Sequence, residues 1–248
     1  MLTGATAARL GEDPLPGPWR SGQGPRLWIV PVGAYGQRSD GLRELLDEGE
    51  RTRLQGFVRA ADRARYRVAH VALRQLLGAY LDTDPAKVGY VREACPGCGG
   101  PHGRPAVAPA LRSLPLHFSL SHSGDVVLLG FADTAVGVDV EAVPAPDVAA
   151  EVAELLHPVE RAELAALPEP ARASATGRCW ARKEAYLKGV GIGLGEDPSV
   201  TCVGAGATPA AVPGWSVSDV PVPPGYAAAC AVRSAGGPAP DASTWPST

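Results

Sequence analysis

Two short stretches hold the residue types from which chemistry can be built. In "GVDVE" (Gly137–Glu141), strand alternation puts Val136, Val138 and Val140 on one face and Asp139 and Glu141 on the other. Same-face neighbours lie roughly 7 Å apart at their Cα atoms, so both carboxylates can reach one hard cation, which takes oxygen ligands. The same pattern also suits a solvent-facing acidic strand edge. In "WARKEAYLK" (Trp180–Lys188), helical spacing gathers Cys179, Trp180, Tyr186 and Leu187 on one face, with Lys183 at its centre and Glu184 and Lys188 at its border. An i, i+4 pair of Glu184 with Lys188 is worth about 0.2–0.5 kcal/mol. It leaves Lys183 half-buried, and a buried ammonium needs an anionic partner because its desolvation is otherwise too costly.

Taken together, the three carboxylates Asp139, Glu141 and Glu184 with Lys183 and Lys188 form a set suited to Mg²⁺ plus phosphate. Mg²⁺ is held by a few carboxylates together with substrate phosphates and water, and lysines neutralise the remaining phosphate oxygens as point charges. On this reading Lys183 faces a bound pyrophosphate.

Three other motifs carry weaker signals. "FSLSHSGD" sets His122 between Ser121 and Ser123. Adjacent residues of a strand do not point at one another, and neither serine lies in a G-x-S-x-G elbow, so a phosphate-binding donor or a structural histidine fits better than a hydrolase dyad. "CPGCGGPHGRP" holds Cys95, Cys98 and His102. Zinc there needs a fourth ligand; His117, His122 and His157 are available without characteristic spacing, and a glycine-rich loop with reduced thiols is the alternative. The G-x-G of "GVGIGL" follows no strand and reads as a helix exit.

These residues need elements to hold them. "RLWIVPV" reads as a first strand, "SDGLRELLDEGERTRL" as a helix capped by Ser39 or Asp40, and "AADRARYRVAHVALRQLLGAYL" as a long helix with Tyr66, Ala69, Leu73, Leu76, Leu77 and Tyr80 at helical spacing. "VGYVRE" is a second strand. "LHFSLSHSGDVVLLGFADTAVGVDVE" gives two or three more, with a hairpin turn at Asp133-Thr134. Pro146 to Lys188 is mostly helical with breaks at Pro158 and Pro168–Pro170, and "PSVTCV", "GWSVSDV" and "YAAACAV" read as strands. Helices plus strands followed by helices plus strands favour α+β and suggest two similar halves joined near Gly137. The expected organisation is a flexible tail over 1–24, an α+β half over 25–134, a second over 135–234 carrying the metal-binding residues, and a flexible tail over 235–248.

Bulk properties narrow the function. A net charge of −3 gives no global basic field for nucleic acid, although seven arginines and one acid lie between Arg51 and Arg74 and form a local anion-attracting patch or a solvated helix face. No apolar run has the roughly 18 residues of a spanning helix, and the N-terminus lacks a secretory pattern. Five cysteines with one close pair form no disulfide framework, so a reducing cytoplasm is expected.

The chain resembles the phosphopantetheinyl transferases of the larger, surfactin-synthetase-activating (Sfp) type. "GVDVE" and "WARKEAYLK" carry the resemblance, with "FSLSHS", "GRP" (Gly103–Pro105) and "RLQGFVRAADRARY" (Arg53–Tyr66) in support. The resemblance implies two similar α+β halves forming an intramolecular pseudo-dimer, hence a monomer, with coenzyme A bound at their interface. It implies Mg²⁺-dependent transfer of phosphopantetheine from coenzyme A to a serine of an acyl or peptidyl carrier protein, releasing adenosine 3′,5′-bisphosphate. By motif position Asp139, Glu141 and Glu184 are the Mg²⁺ ligands, and Lys183 and Lys188 contact the pyrophosphate. Arg53, Ser121 and His122 contact coenzyme phosphates, and Arg104 lies beside the adenine. Glu184 is the implied base, directly or through metal-bound water, and Lys188 stabilises the leaving phosphate. Two positions depart from the pattern: Ser119 stands where many relatives have asparagine, and Glu50 where a basic residue is common, beside Arg51. The other classes weighed are a noncatalytic coenzyme A- or carrier-binding module of the same fold, and a zinc-bearing interaction protein organised by Cys95 and Cys98.

Overall fold

The computed structural model describes residues 6–237. A short β1 (Ala8–Arg9) runs parallel to β2 (Arg26–Pro31), and α1 (Val32–Asp40), α2 (Glu48–Gln55) and α3 (Ala60–Tyr80) follow. A hairpin of β3 (Tyr90–Arg92) and β4 (Pro105–Val107) precedes β5 (His117–Ser123) and β6 (Val126–Ala132). The second part of the chain holds β7 (Val136–Ala142), α4 (Pro146–Glu154), α5 (Pro158–Ala165), α6 (Glu169–Val190), β8 (Trp215–Asp219) and β9 (Tyr226–Arg233). The strands form sheets in the orders β1-β2-β6-β5, β3-β4 and β7-β9-β8. The mixed α+β class expected from the order of elements is the one observed.

The alternation of side chains explains how the layers stack. Trp28, Val30, Val127, Leu129 and Phe131 enter one core together with the buried stripe of α3, including Tyr66, Ala69, Leu73, Leu76, Leu77 and Tyr80. The intervening residues Leu27, Ile29, Val126 and Leu128 enter a second core against Val136, Val138, Val140, Ala228 and Cys230 of the other sheet. Ala227, Ala229 and Ala231 face the third core, built on α6. The order is therefore α3, first sheet, second sheet, α6. β6 is buried on both faces, which is why "VVLLGFA" is apolar without alternation.

Several expectations give way. The hairpin turn of this stretch is Gly124-Asp125, between β5 and β6; Asp133-Thr134 instead carries the chain from one sheet to the other. The helix expected from Ser39 to Leu54 is broken, because Asp47 caps a new helix by accepting from the Glu50 N–H while Glu50 returns the bond. "PSVTCV" forms no strand; its backbone serves a buried ion pair described below. The tail expected over 1–24 is ordered from Thr6 onward. Leu10 and Trp19 are buried, Trp19 packs edge-on against Tyr80, and its indole N–H donates to Asp133 at 2.8 Å. Two apolar anchors hold this segment to the first sheet. Residues 1–5 and 238–248 lie outside the described residues. Among the described residues no helix is long and apolar enough to cross a membrane.

Candidate functional site

β7 presents Gly137, Asp139 and Glu141 toward α6, opposite its three valines. The helix comes close because residue 137 has no side chain: a Cβ there would lie 1.9 Å from the Ala185 carbonyl oxygen and 2.4 Å from the Gly189 nitrogen. That approach brings the Glu184/Lys188 border of α6 over Asp139. The helix then stops at Gly191, whose left-handed φ of 92° closes the C-terminus.

Asp139 is 1% exposed. Its Oδ1 accepts from Lys188 Nζ at 2.6 Å and from Ser121 Oγ at 2.8 Å, and Lys188 also reaches Ser121 at 3.0 Å. Its Oδ2 is buried with no hydrogen-bond partner, a costly state for a carboxylate oxygen. Glu141 accepts from Ser123 at 3.2 Å. Burial first, and the Asp139 charge second, raise the carboxyls of both Glu141 and Glu184; Lys188 partly offsets this at each. Three acids thus crowd one site with a single ammonium among them. A divalent cation would satisfy the orphaned Oδ2 and relieve the repulsion, so the residues fit a hard cation with oxygen ligands. The three carboxylates are not fully gathered: among the described residues, only Cys95, Cys98 and His102 bring three ligand atoms within 4.8 Å of one another.

"FSLSHS" has a structural role that its histidine concealed. Ser119, Ser121 and Ser123 project from one face of β5 onto β7, where Ser119 Oγ accepts from the Val138 N–H at 3.0 Å and Ser123 Oγ from the Ala142 N–H at 3.1 Å. Three hydroxyls at period two join the edges of the two sheets and bring Ser121 to Asp139. His122 lies on the opposite face of β5 and is exposed.

Lys183 is not at this site. Its Nζ lies 2.9 Å from Glu160 and donates to the Thr201 carbonyl at 2.6 Å, with Lys183 2% and Glu160 0% exposed. Glu160 also accepts from the backbone N–H groups of His157, Val203 and Gly204. The anion that Lys183 requires is a protein carboxylate from α5. At 100° per residue, Lys183 and Lys188 cannot share a direction, and the expected pyrophosphate contact by Lys183 is corrected accordingly.

Beside the carboxylates, a cavity of about 480 Å³ opens between α3, the β3–β4 hairpin, β5 and the end of α6. His70, Arg92, His102, Arg104 and Lys188 give its lining a basic character, suited to a polyanion. Arg104 is held by Glu93 at 2.8 Å and by the Gly189 carbonyl at 2.8 Å, tying the hairpin to α6. Arg53 lies farther out: it sits 6.0 Å over the Tyr66 ring, and Tyr66 stacks at 4.0 Å on His70.

His70, Tyr90 and Arg92 of the cavity were not singled out by sequence, nor was the pairing that lies behind them. Arg74, 1% exposed, binds Glu50 at 2.6 Å, Asp47 at 2.6 Å and the Val88 carbonyl at 2.9 Å. Glu50 also binds His70 at 2.8 Å and accepts from the Tyr90 hydroxyl. The acid at position 50 is therefore the counter-ion of a buried arginine. Two signals were present: Arg74, falling inside the apolar stripe of the α3 sequence, and the acid at position 50 where a basic residue is common.

Similarity to known proteins falls on the same stretch of the chain. The family model of the 4′-phosphopantetheinyl transferase superfamily matches residues 135–210, the stretch containing β7 and α6. The 4′-phosphopantetheinyl transferase HetI of Nostoc sp. is 27% identical over 85% of this chain and 88% of its own length. A phosphopantetheinyl transferase of Thraustochytrium sp. is 31% identical over 68% of this chain, which spans 61% of that relative. The 4′-phosphopantetheinyl transferase psf-1 of Bacillus pumilus is 35% identical over 35% of the chain and 37% of its own length.

Proposed function

We propose that this chain is a 4′-phosphopantetheinyl transferase that moves phosphopantetheine from coenzyme A to a serine of an acyl or peptidyl carrier protein, a reading supported by its match to the superfamily model and by its likeness to relatives of that name. The Sfp type is the subfamily we assign, consistent with the match to psf-1. We further infer two α+β halves over 25–134 and 135–234 acting as a pseudo-dimer, a cytoplasmic monomer, and an acidic carrier domain as partner.

The observation that carries the reading is the buried, unpartnered Asp139 Oδ2 in a site with two raised glutamates and one lysine, beside a basic cavity. Asp139, Glu141 and Glu184 would hold Mg²⁺. The ion, when bound, supplies positive charge to a diphosphate and to the phosphate that leaves.

In the reaction the carrier serine oxygen forms a bond to the phosphorus bearing pantetheine, and the bond from that phosphorus to adenosine 3′,5′-bisphosphate breaks. The serine proton passes to a carboxylate. Glu184 is the assigned base; burial first and the Asp139 charge second raise its carboxyl above the ordinary glutamate range. Lys188, now pairing with Asp139 and Ser121, neutralises charge on the departing phosphate. Ser121 orients Asp139. Arg104, Arg53 and His122 are assigned to the coenzyme's nucleotide end, Arg104 from the cavity wall and Arg53 through the Tyr66–His70 stack.

Intact-mass analysis of an apo carrier protein mixed with the chain, coenzyme A and Mg²⁺ tests this directly. A phosphopantetheine-sized increase that a chelator abolishes is expected. No increase across several carriers, with coenzyme A still bound, would replace the transferase reading with that of a binding module.

A further inference from the structure

The β3–β4 hairpin ends in a loop, residues 94–103, whose His102 lines the basic cavity but whose two cysteines have no part in the transfer reaction. Cys95 Sγ, Cys98 Sγ and His102 Nε2 lie within 4.8 Å of one another there, with Cys98 Sγ only 2.9 Å from His102 Nε2. All three come from an eight-residue segment folded back on itself: the Gly99 N–H donates to the Cys95 carbonyl at 2.8 Å, Cys95 N–H to Gly100 at 2.7 Å, and His102 N–H to Gly100 at 2.9 Å. The backbone also aims a donor at a sulfur: the Gly100 N–H reaches Cys98 Sγ at 3.4 Å. A donor on the sulfur steadies a thiolate ligand rather than a thiol.

We propose that Cys95, Cys98 and His102 form a zinc site that clips the tip of this hairpin. Two thiolates and one imidazole select a borderline-soft cation that favours tetrahedral geometry, which is Zn²⁺ rather than Mg²⁺ or Ca²⁺. With Zn–S near 2.3 Å and Zn–N near 2.0 Å, tetrahedral ligand atoms stand about 3.5–3.8 Å apart. The three atoms need only a small opening between Cys98 and His102 to reach that spacing. Cys95 is buried while Cys98 and His102 are exposed, so the fourth corner faces solvent and takes water.

The position gives the clip a purpose. Glu93 and Arg104 frame the loop, with the Glu93 N–H donating to the Arg104 carbonyl at 3.0 Å and the Gly103 N–H to the Glu93 carbonyl at 3.0 Å. Both Arg104 and His102 line the basic cavity. Closing the loop on zinc fixes the wall that carries them. The inference stands on the loop alone and is independent of the transferase reading.

Metal analysis of the full chain, purified without chelator from zinc-supplemented cells, tests it. One zinc per chain is expected, lost in Cys98→Ser and in His102→Asn, both at exposed positions where folding is retained. Replacement by Co²⁺ should give a thiolate-to-metal charge-transfer band. Chelation should speed hydrogen exchange at the amides of Glu93, Cys95 and Gly103 while leaving those of α3 unchanged. Wild-type chain that holds no zinc and gives no cobalt–thiolate band, or that carries a Cys95–Cys98 disulfide in its place, would overturn the proposal.

Discussion

The two faces of α6 carry a lysine each and end in opposite states. Toward α5, Lys183 is closed in: Glu160 balances its charge, the Thr201 carbonyl accepts a hydrogen bond from it, and the remaining glutamate capacity is filled by backbone N–H groups. Toward β7, Lys188 is one ammonium among three carboxylates, side-chain exposure rises to 31%, and Asp139 keeps a buried oxygen with no partner. The first face is saturated and fixes the fold. The second is left short of positive charge, a deficit that only a ligand removes. What distinguishes a working site from a structural one here is unfinished pairing rather than the presence of charge.

The comparison breaks most severely at the closed face. Glu160→Ala strands a buried ammonium and should cost about 3–5 kcal/mol, read by denaturant unfolding. The paired change Glu160→Gln with Lys183→Met removes both charges and should recover most of that loss, because a buried ion pair exchanged for well-sized neutral groups is often nearly neutral. If Glu160→Ala left the midpoint unchanged, the pair would not be structural.

Gly137→Ala addresses the contact that creates the open face. Its Cβ collides with the Ala185 carbonyl, so α6 must retreat from β7, at about 1–3 kcal/mol by analogy with overpacked cores. Transfer should fall further than stability, since Glu184 and Lys188 move away from Asp139. Equal small losses in both would show that the approach distance does not matter to the site.

At the open face, Glu184→Gln should reduce transfer by about 10²-fold or more, the usual worth of a general base, without loss of fold. Its effect on stability has the opposite sign to that at Glu160. The folded chain holds the Glu184 proton to a higher pH than the unfolded chain does, so stability is full below the ordinary carboxylate range and declines as pH rises through the raised value. Glutamine removes that decline, and its unfolding midpoint at neutral pH should exceed the wild-type value when no divalent ion is present. Mg²⁺ binding runs the other way. The ion competes with the protons that Glu141 and Glu184 hold, so Mg²⁺ affinity, followed by calorimetry, should fall as pH drops through the raised range. An affinity that weakens only within the ordinary carboxylate range would contradict that. Ser121→Ala, which removes one donor to Asp139, should have the smallest effect, less than about tenfold by the worth of one hydrogen bond.

The sequence was informative where periodicity and chemistry coincided. Alternation at Val136–Glu141 and the stripe of α3 were legible because one face is apolar along its whole length. Lys183 was correctly placed in a buried stripe, yet its partner was not, because Glu160 lies on α5 and only packing joins the two. The same holds for Arg74 and Glu50, 24 residues apart. The serines of β5 were read through their histidine neighbour, although period two already put Ser119, Ser121 and Ser123 on one face. Thr6–Gly24 looked like a tail because two anchors, Leu10 and Trp19, are too few to make a pattern.

The central claim is that catalysis uses the Lys188 face of α6 and not the Lys183 face. The most direct measurement compares transfer to a carrier protein, followed by intact mass, in two folded variants: Glu184→Gln, and Glu160→Gln combined with Lys183→Met. The account predicts that the first converts the carrier about 10²-fold more slowly or worse, while the second converts it at close to the wild-type rate. Conversion by Glu184→Gln at close to the wild-type rate, or a folded but inactive double variant, would contradict it.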